Sequence, residues 1–166
     1  SKIGEVIGIT KAYCTRVGSG PFPTELNDEV GEALRRAGNE FGATTGRARR
    51  CGWLDLVQLR YACLLNGVTQ IVMTKADVLA NFAAPRMAVA YQLPTERTVN
   101  LPYDLVNTPI APVWREFAAW GDLSGLSTFE ALPQALQSFV RAAEDFLAVP
   151  VRYISTGVGR HDLIVR

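Results

Sequence analysis

A glycine- and arginine-rich segment at residues 42–50 has the composition of a binding loop for small anions. Glycines let backbone N–H groups face an anion, threonine hydroxyls add donors, and arginine binds carboxylate or phosphate through a planar pair of N–H groups. A solvated basic loop would explain the arginines, but not the glycine and threonine directly before them. The segment is therefore predicted to bind carboxylates or phosphates, and it reads Gly42-Ala43-Thr44-Thr45-Gly46-Arg47-Ala48-Arg49-Arg50.

A second candidate segment is Thr74-Lys75-Ala76-Asp77, which follows an apolar run. It has the T/N-K-x-D form that guanine-nucleotide proteins use. Guanine offers two adjacent donors, N1–H and the exocyclic amine, and one carboxylate such as that of Asp77 accepts both, whereas adenine cannot reciprocate. The stem of Lys75 could cover the purine face while its ammonium stays hydrated. A helix cap after a strand is the alternative for so short a pattern.

A third candidate, Ser155-Thr156-Gly157, follows the last apolar strand-like run of the sequence. A small residue there lets backbone groups come close to a planar ligand. By itself this is an ordinary turn. It becomes a binding segment only if it lies beside the Asp77 segment, as the carboxyl ends of neighbouring parallel strands do.

The elements that must position these segments follow an α/β order. Helical signals run from Asn27 or Asp28 to the residues before Gly38, over residues 53–65, and over 133–147, where Pro133 opens the helix. The strand-like runs are residues 6–17 (a buried strand entering a loop), 70–73, 87–92, 98–101, 113–120, 151–154 and 161–166. The prolines among residues 86–120 favour a small antiparallel annex inserted into a parallel-sheet core.

Composition narrows the class of protein. The 166 residues suit one domain, and 17 basic against 16 acidic side chains argue against a general nucleic-acid or anionic-membrane partner. Residues 1–166 lack a membrane-length apolar run, and the start lacks a signal-like segment, which predicts a cytoplasmic protein. Three widely spaced cysteines and one histidine make a zinc site improbable, so Cys14, Cys51 and Cys63 are predicted to be small core residues.

Taken in order, the longer motifs resemble the adenylosuccinate synthetase family over essentially the whole chain. Several long motifs in sequence are far more specific than any short pattern. They are Lys11-Ala12-Tyr13, Thr15-Arg16-Val17-Gly18-Ser19-Gly20-Pro21-Phe22-Pro23-Thr24-Glu25, Gly38-Asn39-Glu40-Phe41-Gly42-Ala43-Thr44-Thr45-Gly46-Arg47, Gly52-Trp53-Leu54-Asp55, Thr74-Lys75-Ala76-Asp77-Val78-Leu79 and Ile154-Ser155-Thr156-Gly157.

The resemblance implies a P-loop-NTPase-like parallel core and a reaction that joins IMP and L-aspartate. In this family GTP phosphorylates the purine 6-oxygen, the aspartate amine displaces the phosphate, and Mg²⁺ is present. Full-length members are expected to be homodimers in the cytoplasm. The implied aspartate and IMP residues are Val17, Ala43, Thr44, Thr45, Gly46, Arg47, Ala48 and Arg49, and the implied GTP residues are Arg49, Lys75, Ala76, Asp77, Ser155, Thr156 and Gly157.

Two kinds of departure from the family accompany this resemblance. Ala48 interrupts an arginine run that is often continuous, and Val158-Gly159 stands where Pro-Asp is usual, which affects the shape of the implied guanine pocket. A phosphate loop like Gly-Asp-Glu-Gly-Lys-Gly-Lys, with the catalytic aspartate and metal site, is also absent from the 166 residues, and His161 matches no catalytic role. We therefore expect no catalytic or metal residue here.

Three functional hypotheses remain open. The first is a carboxy-terminal fragment of the ligase, with Mg²⁺ ligands in the missing amino-terminal part and little activity alone. The second is a stand-alone guanine-nucleotide-binding module without catalysis. The third is a relative that uses another purine pair, although Lys75 and Asp77 favour a guanine donor.

Overall fold

The computed structural model describes residues 4–166 and has two sheets and three α-helices. A 3₁₀ turn at Asp77–Leu79 follows the fourth strand. In chain order the elements are β1 (Ile7–Lys11), β2 (Tyr13–Arg16), α1 (Glu29–Ala37), β3 (Arg50–Asp55), α2 (Leu56–Asn66), β4 (Gln70–Thr74), β5 (Arg86–Gln92), β6 (Arg97–Thr98), β7 (Ala111–Glu116), α3 (Gln134–Leu147), β8 (Val151–Ser155) and β9 (Leu163–Val165).

The core sheet has the strand order β1-β4-β8-β9. Strands β1, β4 and β8 are parallel, and β9 is antiparallel to β8. Their carboxyl ends therefore open on the same edge, which is where ligands of parallel α/β sheets bind. The predicted α/β class with parallel core strands is confirmed.

The second sheet has the order β2-β3-β5-β6, with β7 also paired to β5. Antiparallel pairing of β5 with β6 and β7 fills much of residues 86–120. Strand β5 also runs parallel to β3, so the antiparallel piece continues into a larger sheet. The long-range pairing of β3 with β5 is not visible in the local pattern of either strand.

The prediction of one buried strand over residues 6–17 is wrong in two respects. The strand breaks at buried Ala12, whose N–H donates to the carbonyl of Thr74 at 2.8 Å, and the chain then passes from the core sheet into β2 of the second sheet. Strand β1 is an edge strand in the described part of the chain, and Ile9 is 75% exposed. β-branched residues favour strands but do not specify burial.

The prediction of a helix over residues 53–65 is wrong at its beginning. Residues up to Asp55 form β3, and the helix begins at Leu56. The carboxylate of Asp55 caps the helix by accepting from the N–H of Gln58 at 3.1 Å, while the Gln58 amide donates back to the same carboxylate. The Asp55-x-x-Gln58 spacing is a capping signature that marks this start in the sequence. The predicted end is correct, because Gly67 adopts a left-handed conformation.

The other two helices follow their sequence signals. Asp28 caps α1 and Gly38 ends it, as predicted. The five apolar residues predicted for one face of α3 are all buried, and α3 follows Pro133. Phe139 of α3 makes edge contacts with Phe117 and Trp120 at centroid distances of 5.0 and 5.3 Å. These contacts attach the end of the antiparallel piece to the core.

Candidate functional site

The Asp77 segment and residues 155–157 lie side by side at the carboxyl edge of the core sheet. Strands β4 and β8 are neighbours in parallel register, and each ends at one of these segments. The N–H of Ala76 donates to the carbonyl of Ser155 at 3.3 Å. The structure thus provides the adjacency that the binding interpretation of residues 155–157 requires.

Asp77 begins a 3₁₀ turn, and its half-buried carboxylate accepts no hydrogen bond from any side chain or backbone group of residues 4–166. Lys75 has a positive φ of 60°, an uncommon conformation for a residue with a side chain. The buried indole of Trp120 donates to the carbonyl of Ala76 at 3.1 Å. Trp120, which sequence reasoning missed, therefore holds the loop in a shape that leaves Asp77 available.

The ammonium of Lys75 is not placed in water as predicted. It donates to the carbonyl of Gly38 at 2.7 Å and to Oε1 of Glu40 at 3.0 Å. These contacts draw the side chain across to the loop that follows α1. The stem of Lys75 still has room to cover a ligand, since its side chain is 36% exposed.

Residues 155–157 form a tight turn that Asp162 supports. The hydroxyl of Ser155 donates to the carbonyl of Gly157 at 2.9 Å, and the N–H of buried Thr156 donates to the carbonyl of Asp162 at 2.8 Å. A Cβ at position 157 would lie 2.5 Å from the Asp162 carboxylate, so a larger residue there would displace the Asp162 side chain. Val158 is fully exposed, so its departure from the family pattern alters the surface of this turn.

The anion loop, residues 42–49, folds back on itself and is mostly exposed. The N–H of Gly42 donates to the carbonyl of Arg47 at 2.9 Å, and the N–H of Gly46 donates to the carbonyl of Gly42 at 2.8 Å. Phe41 and Ala48 form an isolated β-bridge at its base. Ala43, Thr44 and Thr45 lie at the exposed tip, where they can face a ligand.

A cleft of about 200 Å³ is lined by the anion loop and by the turn that carries Val17. Val17, Arg47 and Arg49 all line it. The structure thus brings together three residues that the family resemblance assigns to the same pair of substrates. The guanidinium groups and the glycine backbone around this small cleft favour an anionic ligand.

Arg50 differs from the other arginines of the segment because all three of its guanidinium nitrogens donate hydrogen bonds within the protein. Its guanidinium pairs with both carboxylate oxygens of Glu25 at 2.7 and 2.5 Å and donates to the carbonyls of Gly18 and Gly20. This bidentate pair holds the turn beside Val17. Arg50 therefore shapes the cleft, whereas Arg47 and Arg49 have groups left for a ligand.

Glu40 lies between the two candidate loops, and sequence reasoning assigned it no role. Its side chain is fully buried. Oε1 accepts from Lys11 at 2.8 Å, Lys75 at 3.0 Å and the Tyr13 hydroxyl at 2.6 Å, and Oε2 accepts from Arg49 at 2.7 Å. One carboxylate facing three cations leaves the cluster positively charged, which suits an anionic ligand.

Burial by itself would raise the pKa of Glu40, but the hydrogen bonds from Lys11, Tyr13, Arg49 and Lys75 outweigh it. They lower the pKa from 4.5 to about 2. A carboxylate whose pKa is depressed by folding contributes stability above its unfolded pKa, and that stability is lost as the pH falls through the folded pKa. The window for Glu40 thus extends from about pH 4.5 down to about pH 2.

In a complete protein containing this chain, Glu40→Gln is expected to lower the free energy of unfolding most at neutral pH. The difference from the parent should shrink as the pH falls through this window, because a protonated Glu40 is neutral like glutamine. Urea unfolding of both proteins at about pH 6 and about pH 3 measures the two differences. A difference that is the same at both pH values would contradict the assignment.

The histidine, cysteines and helices of the described residues do not change the position of the candidate site. His161 is exposed, while Cys51 and Cys63 are buried and Cys14 is half-buried. Within residues 4–166, no three His, Cys, Asp or Glu side chains cluster closely enough to hold a metal ion. In the same residues, every helix is too short or too polar to cross a bilayer.

Comparison with known proteins connects this geometry to one family. The sequence profile of adenylosuccinate synthetase matches residues 1–164. The adenylosuccinate synthetase of Cytophaga hutchinsonii is 51% identical over 99% of this chain and 38% of its own length. That of Flavobacterium johnsoniae is 48% identical over the whole of this chain and 40% of its own length.

Among solved structures, the fully ligated adenylosuccinate synthetase of Plasmodium falciparum superposes with a TM-score of 0.92. It is 36% identical, and the match covers 99% of this chain and 40% of that one. The chain thus spans about 40% of the length of these relatives. The match of the profile, the relatives and the fold shows that the chain belongs to the adenylosuccinate synthetase family.

Proposed function

We propose that this chain supplies the aspartate loop and the guanine pocket of an enzyme that joins IMP and L-aspartate at the expense of GTP. The observation that carries the proposal is the convergence of the two loops on Glu40, which binds Arg49 of one and Lys75 of the other. Phosphorylation of the purine 6-oxygen and displacement by the aspartate amine require a nucleotide and a dicarboxylate close together. Two loops tied to one buried group satisfy that requirement.

In this proposal the anion loop closes over aspartate. Thr44 and Thr45 donate to its carboxylates, and Ala43, Gly46 and Ala48 form the exposed backbone around them. Arg47 reaches both aspartate and IMP, and Arg49 bridges aspartate and the GTP phosphates. Val17 lies against the IMP ribose on the opposite wall of the cleft. Arginines offset the crowded negative charge most effectively when loop closure excludes water.

The guanine pocket is proposed to lie at the carboxyl ends of β4 and β8. Asp77 accepts from N1–H and the exocyclic amine of guanine, since its carboxylate is uncommitted within residues 4–166. Lys75 and Ala76 line one side of the base, and Ser155, Thr156 and Gly157 line the other. Mg²⁺ is proposed to bind residues outside this chain, because the described residues offer it no cluster of ligands.

The complete protein that contains this chain should form adenylosuccinate only when IMP, aspartate and GTP are all present. Product formation with each substrate omitted in turn tests the proposal, and replacement of GTP by ATP tests the guanine pocket. Product without GTP, or equal use of ATP, would contradict it. A homodimer and a cytoplasmic location belong to the same proposal, and sedimentation of the complete protein tests the dimer.

The isolated 166-residue chain is expected to show no steady turnover, because its sequence contains no phosphate loop of the Gly-Asp-Glu-Gly-Lys-Gly-Lys type. Incubation of the purified chain with all three substrates measures this. The remainder of the protein, added separately, should restore product formation. Steady turnover by the chain alone would contradict the expectation, and tight GTP binding without rescue by the remainder would favour a stand-alone nucleotide-binding module.

A further inference from the structure

The contacts of Glu40 divide between its two oxygens in a way that relates the two loops. Oε2 accepts from Nη1 of Arg49, and Oε1 accepts from the ammonium of Lys75. Both distances are within 3.0 Å, and the carboxylate is fully buried. A shift of this one group therefore changes the anchorage of both cations together.

The remaining side-chain partners of Glu40 attach it to the two sheets. The buried hydroxyl of Tyr13 and the ammonium of Lys11 both donate to Oε1. Tyr13 belongs to β2 and Lys11 to β1, so the carboxylate is attached where the chain passes between the two sheets. The N–H of Arg49 also donates to the carbonyl of Glu40 at 2.9 Å, which fixes the base of the anion loop.

Arg49 and Lys75 each keep capacity for a ligand while they are anchored. The Nε and Nη2 groups of Arg49 make no hydrogen bond within residues 4–166, and its side chain is 32% exposed. Lys75 is similarly exposed. Arg49 is anchored through one nitrogen and Lys75 through two hydrogen bonds, to Glu40 and to the carbonyl of Gly38. Such anchorage limits the rotamers of a long side chain, and this lowers the entropy cost of ligand binding.

We propose that Glu40 is a positioning residue that sets Arg49 and Lys75 together, so that the aspartate loop and the guanine loop are organised by one buried carboxylate. This inference rests on the proposed function and deepens it, because it assigns the joint arrangement of the two substrate loops to a residue that touches neither substrate. Glutamine at position 40 has the same size but presents one acceptor and one N–H donor. The side-chain amide N–H group then points at the donors of either Arg49 or Lys75, which is unfavourable. Each of these side chains therefore loses its contact with the side chain of residue 40 for part of the time.

The test uses the complete enzyme with Glu40→Gln and measures kcat and the three KM values. The KM values for aspartate and for GTP are both expected to rise by about tenfold, the equivalent of about one charge-assisted hydrogen bond, while the KM for IMP changes by less than about threefold. A purely structural role would lower the amount of folded enzyme, and therefore kcat, with all three KM values unchanged. That result, or a rise in only one of the two KM values, would overturn the proposal.

Glu144→Gln is the matched control. Glu144 is a half-buried carboxylate that, like Glu40, has an arginine partner, since it accepts from Arg166 at 2.7 Å and from the N–H of Val151 at 2.8 Å. Glu144 is on α3 and contacts the first residue of β8, at the end of the strand opposite residues 155–157. Its substitution is expected to leave all three KM values within about twofold.

Tyr13→Phe provides a milder variant in case Glu40→Gln fails to fold. It removes the hydroxyl that donates to Oε1 of Glu40 and keeps the buried ring. The aspartate and GTP KM values should then rise in parallel, by about threefold each. A rise in neither KM, or in only one, would overturn the proposal. Failure of the proposed function is distinguishable, because the parent enzyme would then show no dependence on aspartate and GTP at all.

Discussion

Replacement of Arg49 by leucine in the complete enzyme is expected to raise the aspartate KM by about tenfold to a hundredfold. The physical reason is the loss of a charge-assisted pair of hydrogen bonds worth about 1.5–3 kcal/mol. Arg49 and Val17 both line the cleft, and Glu40 anchors one nitrogen of Arg49 while the others stay available within residues 4–166. Since Arg49 is proposed to bridge aspartate and the GTP phosphates, the GTP KM should rise as well.

Arg47→Leu is expected to raise the aspartate KM over the same range, with an accompanying rise in the IMP KM. Arg47 is exposed on the anion loop and lines the same cleft, but Glu40 does not hold it. The two variants should thus differ in their second substrate: GTP for Arg49 and IMP for Arg47. Three KM values and kcat for each variant separate these effects.

Arg36→Leu is the control for both arginine variants. Arg36 is exposed in the last turn of α1, and its side chain makes no hydrogen bond or ion pair within residues 4–166. Loss of an isolated surface arginine costs little and affects no particular substrate. If Arg47→Leu and Arg49→Leu also leave the aspartate KM within about twofold while the proteins remain folded, the family roles have been assigned to the wrong residues.

Asp77→Asn is expected to lower kcat/KM for GTP by about a hundredfold and to shift the preference toward xanthosine triphosphate. An amide can accept only one of the two guanine donors, but it can donate to the oxygen that xanthine carries at its 2-position. Loss of a charge-assisted pair accounts for the size of the change. The rise in use of the xanthine nucleotide distinguishes base recognition from general damage to the loop.

Asp145→Asn is the matched control for Asp77. Asp145 is exposed on α3, and its carboxylate accepts no hydrogen bond within residues 4–166. Its substitution should leave the preference between the two nucleotides unchanged. If Asp77→Asn also leaves the preference unchanged, Asp77 does not read the base.

Local patterns in the sequence determined those features whose causes lie within a few residues. The cap at Asp28, the stop at Gly67 and the apolar face of α3 depend on neighbouring side chains and on helical spacing. The position of the Asp77 segment after a strand depends equally on local sequence. The long motifs also identified the family, because their residues and order are specific even without a structure.

Tertiary structure alone decided the features that depend on distant residues. Nothing near Glu40 in the sequence indicates that Lys11, Arg49 and Lys75 share its carboxylate, since the contacts to Lys11 and Lys75 join residues 29 and 35 positions away. The different roles of Arg49 and Arg50 likewise depend on Glu40 and Glu25, which fold against them from other segments. A side chain's chemistry is local, but its free energy of burial and charge pairing depends on what the fold brings to it. The sequence therefore indicated the candidate segments, and the fold joined them at one buried carboxylate.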